Sequence, residues 1–186
     1  MNGEAPVDLA HDLERLRAGE RPTARSTSVD ARVDARKEFT QWRTAIAHAL
    51  LADLRPGDHT PTVWLLEQER ADIASGNTTD VELLYRLIAA TARFAQPEDA
   101  LLIWRAAQTT DETRIGVDVE QALRAGTEAV LRRLERLATS NGAQAKDAQA
   151  ALAWVREGIT NGAANDLPAY FAWSDERFGL HISGPT

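Results

Sequence analysis

Apolar residues in this chain recur three or four positions apart, and the runs are punctuated by short clusters of Pro, Gly, Asn and capping residues. That rhythm is helical. The first long run extends from about Val29 to Leu54, with Phe39, Trp42, Ile46, Ala49 and Leu50 on one face. Thr27 or Ser28 suits its cap, Asp30 sits near its positive end, and Pro56-Gly57 ends it. Thr60-Pro61 starts a second helix, with Val63, Leu66, Arg70 and Ile73 on one stripe, and Ser75-Gly76-Asn77 stops it. Thr79 and Glu82 stand at capping-box spacing before a helix bearing Val81, Leu84, Ile88, Thr91 and Ala92. Gln96-Pro97-Glu98-Asp99 opens the next, which contributes Leu101, Trp104 and Ala107.

The polar stretch 109–114 reads as a loop. Asp118 and Gln121 then open one long helix through Val119, Leu123, Gly126, Val130, Leu134 and Leu137, and Asn141-Gly142 breaks it. Ala148, Ala151 or Leu152, Val155 and Ile159 mark a further helix. Asp166 and Pro168 launch a last short one with Tyr170, Phe171 and Trp173, closed by Gly179 before an extended 180–183. No apolar–polar alternation persists for the length of a strand. The fold class expected is all-α, as stacked antiparallel helix pairs or an irregular helical bundle. Residues 1–28 read as an N-terminal arm or linker with one short helix over His11–Ala18, and 29–186 as a single helical domain.

Two short segments match. Asp80-Val81-Glu82 and Asp118-Val119-Glu120 lie 38 residues apart, and each has an Arg four positions after its Glu, Arg86 and Arg124. Each also precedes a second helix that carries a Trp, Trp104 or Trp154. Over roughly residues 79–159 the chain thus resembles HEAT-like α-helical repeat proteins, whose units run to about 40–47 residues. The resemblance implies a concave helical face presented to another macromolecule. Ordinary helix-start chemistry accounts for the same motif: acids in the first turn and a Glu–Arg pair at i,i+4.

Of 186 residues, 44% are hydrophobic, enough to build a core, and the formal net charge is −7. That balance opposes binding to nucleic acid or a membrane surface and favours a basic protein as partner. There is no cysteine, which excludes disulfides and thiolate chemistry. Met1–Ala10 carries Glu4 and Asp8 rather than an apolar signal segment, and no run approaches the ~18 apolar residues of a membrane span, so a cytoplasmic protein without membrane contact is expected.

The chain offers little linear chemistry. Asp8-x-x-His11 is a lone acid–His pair where a di-iron bundle needs two with further acids, and no histidine precedes His11-Asp12 to make a phosphohydrolase site. His48 reads as a partly buried helix residue, and His59 as part of a helix-capping turn. His181 has no acid placed to complete a triad with Ser183. The acid pairs Glu67/Glu69, Glu98/Asp99, Asp111/Glu112 and Asp175/Glu176 read as solvated surface. Arg132, Arg133 and Arg136 form a basic strip that Glu128 and Glu135 interleave, which favours a solvated face over nucleic-acid contact. No glycine-rich phosphate loop or hydrolase motif is present, so neither a cofactor nor a metal is expected and no catalytic residue is assigned.

Tryptophan is more telling. Trp42 and Trp104 read as core, whereas Trp64, Trp154 and Trp173 lie off the densest stripe of their helices and are candidate interface anchors. The acid-rich 109–120 junction adds Asp111, Glu112, Arg114 and Asp118. The function these residues point to is a non-catalytic protein-binding module, most concretely an immunity-type protein that occludes a bacterial toxin. The alternatives are a metal-dependent helical hydrolase and a homodimeric regulator or scaffold.

Overall fold

Proline, glycine and capping side chains set the helix boundaries. The computed structural model describes residues 8–21, 29–78 and 80–181, for 29–36 as backbone alone. In it, α1 spans Leu9–Arg17, α2 Val29–Ala52, α3 His59–Ala74 and α4 Val81–Arg93. A 3-10 turn at Pro97–Asp99 leads into α5, Ala100–Ala107, followed by α6 at Asp111–Gly116 and α7 at Glu120–Leu123. The chain ends in α8, Thr127–Ala138, α9, Ala145–Thr160, and α10, Leu167–Phe178. The protein is all-α, with no strand among the described residues. The expected caps Thr27, Ser28 and Thr79, the side chain of Asp30 and the stretch 182–183 lie outside them.

Two helical hairpins frame the fold, α3 with α4 and α8 with α9, each closed by a short connection. Helix α5 sits between them, touching α3 and α4 on one side and α8 and α9 on the other. It is correspondingly apolar, and Ala100, Leu101, Ile103, Ala106 and Ala107 are all buried. Helix α3 is enclosed by α1, α2, α4 and α5. Leu13 and Leu16 of α1 are buried, the Trp42 indole donates to Asp12 at 2.8 Å, and Arg17 forks onto both oxygens of Asp58 at 2.8 Å. A short amphipathic helix thereby docks on the α2–α3 corner.

Several elements differ from the pattern reading. The single helix from Asp118 is two, because Gly126 adopts φ 93° and turns the chain between α7 and α8. The 109–114 stretch holds the start of α6. Thr110 and Thr113 exchange side-chain and backbone hydrogen bonds in a capping box that uses Thr rather than Glu at its third position. Helix α4 is capped by Asp80, whose carboxylate accepts from the Leu83 N–H at 3.0 Å. Asp118 caps nothing, since its carboxylate binds Tyr170 instead. The matching arginines also leave their helices, Arg86 donating to His48 and Arg124 to Asp175. The two Asp-Val-Glu segments thus do different structural work.

Three acids expected at the surface are enclosed. Asp99 is buried and bonded to His59 Nε2 at 2.8 Å, Asp175 is gripped by Arg93 and Arg124, and Glu69 is 2% exposed. Helix residues one or two apart are rotated by about 100° or 200° about the axis, so Glu69, Asp99 and Asp175 turn inward while Glu67, Glu98 and Glu176 stay exposed.

Candidate functional site

The site grows from α10. Asp166 caps this helix, Pro168 occupies its first turn and Gly179 ends it in the left-handed conformation at φ 62°. Asp175 then docks it, taking both Arg124 nitrogens at 2.7 and 2.6 Å together with Arg93 from α4. With the helix fixed at that point, Tyr170, Trp173 and Arg177 face α4 and the α6–α7 junction.

There they meet a polar network. Gln121 on α7 is buried, and its Nε2 donates to Ser174 Oγ at 2.7 Å and Tyr170 Oη at 3.1 Å. The Tyr170 hydroxyl, so oriented, donates to Asp118 Oδ2 at 3.0 Å. Burial, and then the Asp118 carboxylate, push the Tyr170 phenol well above its usual range, so it remains a donor. From the opposite wall, Tyr85 of α4 donates to the Glu112 carbonyl at 3.1 Å. Gly116 permits this approach, since a Cβ there would stand 2.2 Å from the Tyr85 hydroxyl oxygen.

Between these walls lies a cavity of ≈ 230 Å³ lined by Tyr85, Ile88, Gly116, Val117, Asp118, Gln121, Tyr170, Trp173, Arg177 and Phe178. Burial raises the Tyr85 phenol, and so do the carboxylates of Glu112, Glu82 and Asp118, while Arg177 opposes them. A second, shallower hollow of ≈ 370 Å³ adjoins the cavity, lined by Val117, Asp118, Val119, Glu120, Trp154, Glu157, Gly158, Asn161 and Ala163. Val117 and Asp118 line both, so the two openings adjoin at this segment.

Of the residues singled out by sequence, Asp118 lines both openings, Trp173 lines the first and Trp154 the second. Trp173 is 48% exposed and Trp154 half-buried. Glu112 is exposed beside them, anchored by its backbone. Asp111 and Arg114 pair with each other at 2.8 Å on the outside of α6 and so largely cancel. Trp64 is not part of the face. It is buried at 7% exposure because α3 is packed on several sides, so a position off the densest stripe is still interior.

Sequence reasoning missed Tyr85, Gln121, Tyr170, Arg177 and Ile115. Ile115 is 86% exposed, the most exposed large apolar side chain described. Its signal was available: a lone isoleucine within a polar stretch. The i,i+3 spacing of Tyr170 and Trp173 was a second signal, since it puts two aromatics on one helix face.

Two arginines of the α8 strip face carboxylates, and the third, Arg136, donates to the Arg132 carbonyl. Arg132 bridges to Glu128, Arg133 lies 3.8 Å from Glu98, and Glu135 takes Arg156 of α9 at 2.7 Å. Among the described residues no three His, Asp or Glu side chains converge as a metal site, and no helix is long and apolar enough to cross a membrane. Comparison with protein-family models, with curated proteins and with solved structures found no match to this chain.

Proposed function

We propose that this chain is a non-catalytic binding module that docks a basic protein and acts by occlusion, as an immunity protein does on a bacterial toxin. Its helix pairs, stacked in the manner of HEAT-like proteins, serve as the rigid support for the docking face. One observation carries the reading. Asp118 stands between two adjoining openings, one edged by Trp173 and the other by Trp154.

Half-exposed tryptophans fixed on packed helices are effective anchors, because little side-chain entropy is lost when they are covered. Ile115 adds an apolar contact on the neighbouring helix. Glu112 and Asp118 pair with no cation among the described residues, and uncompensated carboxylates attract a basic partner and speed its approach. The overall charge of −7 has the same sign.

The test is co-expression with the products of the adjacent genes, followed by affinity capture at low and moderate salt. A basic protein should co-elute at fixed stoichiometry, and Trp173→Ala or Ile115→Asp should release it. Failure of every adjacent product to bind, at low salt as well, would refute the proposal.

A further inference from the structure

We infer that the cavity between α4, α7 and α10 receives one arginine side chain of the basic partner, with Asp118 as its counter-ion. This rests on the docking reading above and specifies its anchor. At ≈ 230 Å³ the cavity falls below the ~300–1,000 Å³ of sites that enclose a whole small molecule, and it suits a single side chain.

Its walls are chosen for a cation. Tyr85, Tyr170, Trp173 and Phe178 all line it, and aromatic faces attract positive charge. Rings of this helix do take guanidinium groups: Arg124 lies 4.8 Å over Phe171, and the chain's own Arg177 lies 5.5 Å over both Trp173 and Phe178, the two rings an incoming arginine would have to share or take over. Asp118 is exposed and makes no ion pair among the described residues. Its Oδ2 accepts from Tyr170, and its Oδ1 has no hydrogen-bond partner among the described residues. Glu112 and Glu82 add negative charge beside Tyr85, and Arg177 adds positive charge.

Arginine fits better than lysine. Its planar, weakly hydrated guanidinium stacks on rings and donates to a carboxylate at the same time, while an ammonium holds its water more tightly. Arg177 is the opposing element, a like charge at the rim that the incoming guanidinium must tolerate or displace.

The experiment titrates the full chain with N-acetyl-arginine methylamide and follows the Trp173 indole N–H by NMR, assigned with Trp173→Phe. The neutral isostere N-acetyl-citrulline methylamide and N-acetyl-lysine methylamide serve as comparison probes. The arginine probe should shift the signal saturably, the lysine probe more weakly, and the citrulline probe about tenfold more weakly. Asp118→Asn, which keeps the acceptor for Tyr170, should abolish saturation, and Arg177→Gln should tighten binding about two- to threefold. Equal shifts from citrulline, undiminished binding to Asp118→Asn, or loss of binding in Arg177→Gln would each overturn the inference. The dispersion of the same spectra shows whether each variant is folded. A partner that binds while the arginine probe does not removes this inference and spares the docking proposal. A probe that binds while no partner does keeps the cavity as an arginine site but removes the docking proposal, and with it the assignment of that arginine to a partner.

Discussion

Glu69 offers a direct check on the physical reading of the core. It lies on α3 at 2% exposure, its Oε1 has no hydrogen-bond partner, and burial raises its carboxyl to about 7 despite the nearby Arg43 guanidinium. Because the folded state holds this proton more tightly than the unfolded chain, stability falls as pH rises from the ordinary carboxyl range through 7, then levels off. Moving a carboxyl from 4.5 to about 7 corresponds to about 3 kcal/mol, at 1.36 kcal/mol per tenfold change in proton affinity. Glu69→Gln removes the titration and preserves the shape. Urea unfolding of both proteins from pH 5 to 8 should show near-equal stability at the acid end and an advantage for Glu69→Gln of about 2–3 kcal/mol at pH 8. The difference between the two proteins isolates Glu69 from the other carboxyls. Equal stability at pH 8, or an advantage confined to low pH, would refute the assignment.

Three further outcomes follow from the candidate site. Tyr170→Phe strips one partner from the buried Gln121 amide and the donor from Asp118, so unfolding by urea should cost about 1–2 kcal/mol less. Gly116→Ala places a Cβ where the Tyr85 hydroxyl stands, so Tyr85 must swing away from the Glu112 carbonyl. Stability should drop by about 1–2 kcal/mol, and any partner should bind more weakly than to wild type by calorimetry. Asp175→Asn leaves Arg93 and Arg124, only 20% and 15% exposed, without their shared anion, and should cost about 3 kcal/mol with loss of hydrogen-exchange protection across α10. Burial alone would raise the Asp175 carboxyl, but Arg124 and then Arg93 override it and hold it low. The contribution of this carboxylate is therefore complete above the ordinary Asp range and lost as pH falls through its depressed value, a dependence the Asn variant should lack.

The helical class and most helix starts were legible because they are local. Pro168, Gly179 and the acids of the first turns act within a few residues of themselves. The break at Gly126 was not, because a glycine in an amphipathic run is compatible with either a continuous helix or a turn until its φ is known. Thr110 and Thr113 escaped notice because their capping box departs from the Ser/Thr–Glu pattern. The site itself depends on distant pairs: Tyr170 reaches Asp118 across 52 positions, and Asp175 reaches Arg124 across 51. No periodicity reports contacts of that separation. Periodicity also ranks faces without saying how many neighbours a helix has. Trp64 on the enclosed α3 is therefore interior, while Trp173 on the peripheral α10 reaches the surface.

A hydrogen-exchange footprint of the chain with its captured partner tests the docking face most directly. Protection is expected over 111–118 and 170–178, and at Trp154, with the arginine strip of α8 unchanged. Protection confined to α8, with exchange at the Asp118 face unaltered, would contradict it.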